Sequence, residues 1–524
     1  MKKNIKTFGS LLLVATFFLT IAGCSKFLDR QPLTATLNDL NQGALEAQSL
    51  GLYNTLRGYA GFSSLPWIDF HSIRDDDAQK GSSTTDGAEI NTEFETFQYT
   101  KDDWATDTYW NDHFYMINLC NKELYWADSL KVTDPASVRN IGEAHFFRAY
   151  SFFELVKAYG QVPLINFYYT NAAAGNKPKA TIADLYAQID ADLSAASTML
   201  PLNWQVGGTN RYPGRLTSGA ANTLWAQTYL FRQQWAKVVS LCNTVIGSGQ
   251  YGLASNFTDI WKDGLNGAGK NGVESIFEMQ ANCGANGTND NGQDGWGTSQ
   301  NIRQGGATVA WNLGWGWNVP TQVLQNAWDS TDPRKSMTIL YSGQFDGGPA
   351  QGGYGATLPP YAPGASLDQP YWNKKLYSDP SMRQYTGKIN SNGGADWINH
   401  RILRYADVIL MLAEASNELG DGATAAKNLE LIRARARGGN AVLPAIPFTN
   451  QAQMRTAIKK ERRWEFAMEG VRFYDLVRWT PATDGIDAPS ALGSLGYQSK
   501  NALYPIPQPA INLSGGVLVQ NPNY

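Results

Sequence analysis

Tryptophans set in glycine-rich sequence are the residues with most to offer a ligand. Residues 281–320 hold nine Gly and four Trp: Trp296, Trp311, Trp315 and Trp317. Residues 341–372 add Tyr354, Tyr361, Tyr371 and Trp372 to sequence rich in Gly and Pro. A sugar ring has flat C–H faces apolar enough to stack on indole, and its hydroxyls need Asn, Asp, Gln or Arg. Trp296-Gly297-Thr298-Ser299-Gln300-Asn301 and Trp311-Asn312 supply both kinds of group. The competing reading is that these rings pin their loops to a scaffold. Asp75-Asp76-Asp77, close after Trp67, is suited either to a cation or sugar hydroxyl or to a solvated loop.

Searches for catalysis return little. The chain has no G-x-S-x-G, no H-E-x-x-H, no Walker A and no G-x-G-x-x-G opening a helix. Its four histidines, His71, His113, His145 and His400, are not paired at ligand spacing, and His145 reads as a hydrogen-bonded packing residue. Asp290 to Gly295 resembles a calcium loop weakly, because the closing acid is replaced by Asn301. A glycosidase requires two placed carboxylates, and nothing marks such a pair. Lys459 to Arg463, with Glu465, Glu469, Arg472, Asp475 and Arg478, alternates sign at i,i+3 and i,i+4, the pattern of a surface or interface helix. Arg433, Arg435 and Arg437 read as a solvated or a helix-C-terminal basic run. The expectation is a binding protein and not an enzyme, with no cofactor and no metal.

The elements that must carry these loops are helical. The 524 residues are 43% hydrophobic and 12% aromatic, which excludes global disorder. Charged residues make up only 17%, and the net charge of −3 argues against a nucleic-acid partner. Asn38 could cap a helix to about Arg57, and a second covers 104–128. Asp134-Pro135 opens a third, which stops at Gly160. A fourth spans 181–200. Residues 217–233 and 235–247 form a helical pair resembling a tetratricopeptide repeat, as do 402–419 and 422–437. A single strong helix is predicted over 451–479. Trp225, Trp235 and Trp464 belong to helix cores. The fold class is mainly α: tetratricopeptide-like pairs in an α/α superhelix, with a loop-rich lobe carrying few short strands.

The N-terminus sets the compartment. Lys2, Lys3 and Lys6 precede an apolar stretch from Phe8 to Ala22, too short to span a bilayer but fitting a signal peptide. It ends in Ile21-Ala22-Gly23-Cys24, which looks like a lipobox, so Cys24 is the expected lipidation site. Cys120 and Cys242 lie on helical stripes and read as buried small hydrophobes. With Cys283 the remaining count is odd, and no disulfide framework follows.

Several segments in order along the chain resemble one family. Cys24 with Ser25-Lys26-Phe27-Leu28-Asp29 and Pro32 is similar to the mature start of SusD/RagB-type nutrient-uptake lipoproteins. So are Gly142 to Tyr150 running on to Gly160-Gln161-Val162-Pro163-Leu164, and Arg404 to Val408 with Ala413-Glu414-Ala415. Glu461 to Phe466 through Gly470 to Trp479 is the strongest match, and Leu503 to Pro507 with Gln520 to Tyr524 completes it. The resemblance implies a surface-exposed lipoprotein of the outer membrane that binds oligo- or polysaccharide and delivers it to a SusC-like TonB-dependent transporter. A peptide-binding, RagB-like member is the alternative. It also implies a signal peptide at 1–23, a lipid-anchored tether at 24–38 and one domain at 39–524. Within that domain the scaffold takes about 39–250 and 401–524, and the lobe about 251–400. No ligand residue transfers by motif. Composition, and the places where the family departs from its scaffold, put the expected site at Trp67, Asp75, Asp76, Trp296, Trp311, Trp315 and Trp372.

Overall fold

Helix starts follow their caps. Residues 45–524 are described in the computed structural model, apart from 59, 207, 211, 263–268, 282–294, 304–310, 363–368 and 383–397. The signal segment, Cys24, the tether, the helix start at Asn38, Cys283 and Asp290 to Asp294 lie outside the described residues. Helix α1 covers Glu46–Gly58, α2 Trp104–Leu130, α3 Pro135–Tyr159 and α4 Ile182–Met199. Helices α5 (Ser218–Phe231) and α6 (Trp235–Gly247) form one pair, and α7 (Tyr405–Glu418) and α8 (Gly422–Arg437) another. Asp134 accepts from the backbone N–H of Ala136 and Ser137 at 3.1 and 2.9 Å, with Pro135 at the first helical position of α3. Thr181, Thr217 and Asp421 cap α4, α5 and α8 in the same way. Short connections make α2 pack on α3 and α5 on α6, while longer ones still bring α4 against both α3 and α5. One apolar core runs through them, from Leu52 to Leu518.

Strands come as four two-stranded antiparallel ladders among the described residues. Strands β1 (Ala78–Gly81) and β5 (Trp317–Pro320) pair with Gln79 opposite Val319. Gln205–Val206 (β2) and Thr209–Asn210 (β3) form a small hairpin. Ser275–Met279 (β4) pairs with His400–Arg404 (β8) through a bulged register. Ile339–Tyr341 (β6) pairs with Tyr371–Asn373 (β7), setting Tyr341 opposite Tyr371. The lobe therefore draws β1 from far outside 251–400.

Two helix expectations need correction. The segment expected to begin a helix at 402 starts as strand β8, because pairing with β4 satisfies its backbone, and α7 begins only at Tyr405. The helix expected over 451–479 is broken into α9 (Gln451–Glu465) and α10 (Arg472–Arg478). Met468 and Gly470 take φ of 66° and 71° at the break. A Cβ on Gly470 would lie 2.5 Å from the Trp67 ring, so only glycine fits both the turn and the contact.

That break reorients the charged residues, which are buried and paired over long range instead of tying one surface helix together. Arg334, fully buried, meets Asp332 at 2.8 Å, Glu461 at 2.6 Å and Glu465 at 3.0 Å. Arg404 reaches Glu274, Glu465 and Glu469. Arg433 and Arg435, expected in solvent, are buried against Glu461, Glu274 and Glu465. Arg334 and Lys375 come from the lobe, so this network fastens the lobe to α9 and to Glu469 just beyond it. Arginine suits the role because its planar fork serves several carboxylates at once.

Candidate functional site

Most of the residues expected to bind ligand lie inside the protein, and this corrects the platform reading for them. Trp67 is 5% exposed and stacks on His71 with centroids 4.3 Å apart. Trp296, also 5% exposed, packs edge-on to Trp67 at 5.0 Å and flat on His400 at 3.7 Å. Trp372 is fully buried opposite Leu340, its indole N–H donating to Ser342 Oγ at 3.0 Å. None of the three has a free ring face for a sugar. Trp311 and Trp315 are half-buried; Trp311 stacks parallel to Tyr377 at 6.5 Å and Trp315 packs on the main core. The fold thus joins Trp67 to Trp296 and leaves Trp372 in a separate apolar cluster beside Trp311.

Asp75, Asp76 and Asp77 are buried rather than solvated, and the partners of Asp76 and Asp77 are arginines. Asp76 receives Arg472 Nε at 2.8 Å and Arg463 Nη2 at 2.9 Å, one arginine from each side of the α9–α10 break. Arg463 also grips Asp77. Burial pushes the Asp76 carboxyl up, but Arg472 and then Arg463 outweigh it and hold the group below the ordinary carboxylate range. Asp75 accepts from the backbone N–H of Asp77 and Ala78; burial, with Asp77 and Asp76 beside it, pushes its carboxyl well up. The triplet is a structural clasp.

The histidines are likewise internal. His71 Nε2 lies 3.1 Å from Glu154 Oε2 beside a cavity of about 110 Å³ also lined by Trp67, Tyr150 and Lys157. Burial lowers His71 to about 4 and His113 and His400 to about 3, so all three are neutral near pH 7. His145 holds Asp192 at 2.7 Å, a packing role. Cys120 and Cys242 are free and buried. No group of three or more His, Cys, Asp or Glu is placed to hold a metal ion among the described residues.

A different surface brings ring and amide chemistry together. Because side chains alternate along a strand, burying Trp372 turns its neighbour Tyr371 to the opposite face of β7, where it is half-buried against a second apolar cluster around Leu324 and Trp328. There Tyr371 meets Tyr341 of β6 edge-on at 5.5 Å, both half-buried. Tyr371 donates its hydroxyl to Gln322 Oε1 at 2.6 Å. Gln369, two residues before it, receives a long bond from Gln79 of β1 at 3.4 Å and donates to the carbonyl of Ser82 at 3.2 Å. Arg303 Nη1 continues the row, reaching Ser82 Oγ at 3.1 Å and Asp86 Oδ2 at 2.7 Å with both side chains about a third or more exposed. Arg303 bridges to Asn312, which adjoins Trp311. Lys80 pins the turn below by donating to the Ser83 carbonyl at 2.7 Å while its ammonium lies over Trp317. The sequence reading missed Tyr341, Gln79, Gln322, Gln369, Arg303 and Asp86 as site residues. It names Tyr371 only among the loop aromatics, and the inward–outward alternation around Trp372 is the signal that could have separated it from its neighbour.

Comparison with known proteins adds an independent line. Residues 273–524 match the model of the SusD family, and residues 56–230 match a SusD-like model described as starch-binding associating with outer membrane. A SusD-like protein P2 of Formosa agariphila is 24% identical over 470 residues, covering 86% of this chain and 87% of its own. A SusD-like protein of Bacteroides fragilis superimposes with a TM-score of 0.72 at 25% identity, covering 92% of this chain and 96% of that one. A laminarin-binding SusD-like protein superimposes at 0.69 with 26% identity over 91% of this chain and 98% of its own. Two family models that between them reach from residue 56 to 524, over a mainly helical fold shared almost end to end with solved relatives, make this chain a SusD-like protein.

Proposed function

We propose that the protein is a non-enzymatic glycan receptor of the outer-membrane surface, lipidated at Cys24, that passes oligo- or polysaccharide to a SusC-like TonB-dependent transporter. The observation that carries the reading is the Tyr341–Tyr371 ring pair bordered by Gln79, Gln322 and Gln369 and closed by the Arg303–Asp86 pair. The rings supply stacking faces, the amides serve hydroxyls as donor and acceptor, and the ion pair is neutral overall. The laminarin-binding neighbour supports a carbohydrate ligand, and the starch-binding, outer-membrane description of the N-terminal match supports both ligand and place. The buried carboxylates around Asp76, Glu465 and Glu414 are engaged by arginines, which suits scaffold better than acid–base chemistry. No helix among the described residues is long and apolar enough to cross a membrane.

Isothermal titration against laminarin, starch and a panel of other polysaccharides tests the reading. The expected result is binding of at least one uncharged glycan, weak for its monosaccharide and stronger with chain length. Failure of every glycan, with binding of peptides instead, would replace it with the peptide reading.

A further inference from the structure

A groove of about 650 Å³ opens just before α2, where three segments distant in sequence meet. Residues 96–101 form one wall, residues between 496 and 500 another, and Asn523 with Tyr524 a third. Its size falls within the roughly 300–1,000 Å³ usual for a ligand pocket. Burial alternates along the first wall: Phe97 and Tyr99, 6% and 4% exposed, turn inward, while Gln98 and Thr100 are exposed. Bonds across the sequence hold the walls together. Tyr99 Oη donates to the Asn501 carbonyl at 3.2 Å, and Tyr524 Oη donates to that of Leu503 at 2.8 Å. The Gln508 N–H donates to the Lys101 carbonyl at 2.8 Å. The groove is therefore built in advance of any occupant.

Backbone strain gathers on its lining. Phe97, Gly496 and Asn523 take φ of 58°, 104° and 69°. For a residue as bulky as Phe97 the left-handed region is a steric outlier. A Cβ on Gly496 would lie 2.8 Å from the Thr96 carbonyl oxygen, so glycine lets two walls close on each other there. Strain that survives in a folded chain collects at sites of binding and function. The polar lining is also left idle by the fold. Gln98 and Asn523 make no side-chain hydrogen bond among the described residues, and Lys500 has no carboxylate partner there. The Lys500 ammonium lies 5.1 Å from the Tyr524 ring centroid. No Asp or Glu lines the groove among the described residues, and nearby Asp103 is taken up by the Thr100 N–H and hydroxyl. Amides donate and accept at once, as sugar hydroxyls require, and the ammonium adds donors. The rings beneath offer apolar surface to C–H faces.

We infer that this groove is a second saccharide site, separate from the ring pair of the lobe, that takes a short stretch of the same glycan. The inference rests on the glycan reading proposed above. The stretch that presents Ser82 and Asp86 beside the ring pair ends at the groove with Thr96. Two sites on one protein raise affinity for a polymer long enough to span them.

The test is isothermal titration with laminarihexaose, maltohexaose and hexasaccharides of the other panel glycans, paired with hydrogen exchange. Wild type is expected to bind two hexasaccharides per chain and to show slowed exchange over 96–101 and 496–500. The Gln98→Ala/Lys500→Ala double variant should keep one site and lose the slowed exchange at the groove. Its melting temperature should match wild type, since neither side chain hydrogen-bonds another group. Tyr371→Ala should leave the groove site at wild-type affinity. A single site in wild type, indifferent to the double variant, overturns the groove and leaves the lobe reading in place. A single site lost in the double variant and indifferent to Tyr371→Ala supports the groove and removes the lobe assignment. If neither a hexasaccharide nor its parent polysaccharide binds, the glycan reading fails and the groove with it. Protection of the groove by peptides in place of every sugar would overturn the saccharide assignment.

Discussion

Tyr371 and Trp372 are adjacent in sequence and opposite in consequence. The strand alternation that sends one indole into the core leaves the next ring half-buried on the opposite face of β7, where we place the ligand. Truncating Tyr371 to Ala should weaken glycan affinity about tenfold, or roughly 1.4 kcal/mol, with the melting temperature little moved. Trp372→Ala should cost about 3–5 kcal/mol of stability through the cavity it leaves, read by denaturant unfolding. Equal loss of affinity without loss of stability in both variants would contradict the assignment. The buried histidines make a second residue-scale prediction. Burial lowers His113 to about 3 from the ordinary imidazole value of 6.5. In the unfolded chain it therefore takes a proton below about 6.5 that the folded form refuses. Its contribution is complete above that value and is lost as pH falls toward 3, at about 1.4 kcal/mol per pH unit. Asp69 and Asp75, pushed up by burial, act in the opposite direction. The isolating measurement is a difference: relative to wild type, His113→Phe should gain stability steadily as pH is lowered from 6.5, and a constant difference would refute the cause.

At the scale of elements, the α9–α10 break is the joint between scaffold and lobe. Arg463 before the break and Arg472 after it close on Asp76, two residues before the start of β1. Removing one partner of a buried charged cluster leaves the others uncompensated. Asp76→Asn should therefore cost about 3–5 kcal/mol and also weaken glycan binding, because β1 carries Gln79 and leads to Ser82 and Asp86. Hydrogen exchange should rise over β1 and β5 more than over α3 and α4. Exchange raised uniformly across the chain would show that the clasp serves the whole fold and not the joint.

For the whole molecule, the charge distribution bears on the ligand. The candidate surface pairs the Arg303 cation with the Asp86 anion, and its other polar groups are amides and hydroxyls. Glycan affinity should change less than about twofold between low and high salt, since an uncharged ligand has no long-range attraction to screen. A steep decline with salt would point to an acidic polysaccharide. At the same scale, Cys24→Ala should release the protein from the membrane fraction with its fold intact, as followed by fractionation and circular dichroism.

Local chemistry carried much of the architecture. Caps at Asp134, Thr181 and Thr217, the stop at Gly160 and the stripes of α5 to α8 are properties of a few neighbouring residues, so they were legible without the fold. The family resemblance was legible for the same reason, since its motifs are short runs in fixed order. Packing decided the rest. Whether Trp67, Trp296 or Trp372 is platform or core depends on partners such as His400, Gly470 and Leu340, distant in sequence. Whether Arg463 or Arg435 is surface or clasp depends on acids just before β1 and just before β4, nearly 400 and about 160 residues away. The ring pair itself exists only because β6 and β7 align Tyr341 with Tyr371. Register is set by long-range pairing and burial, and one residue of slip would turn every side chain of the strand to its other face.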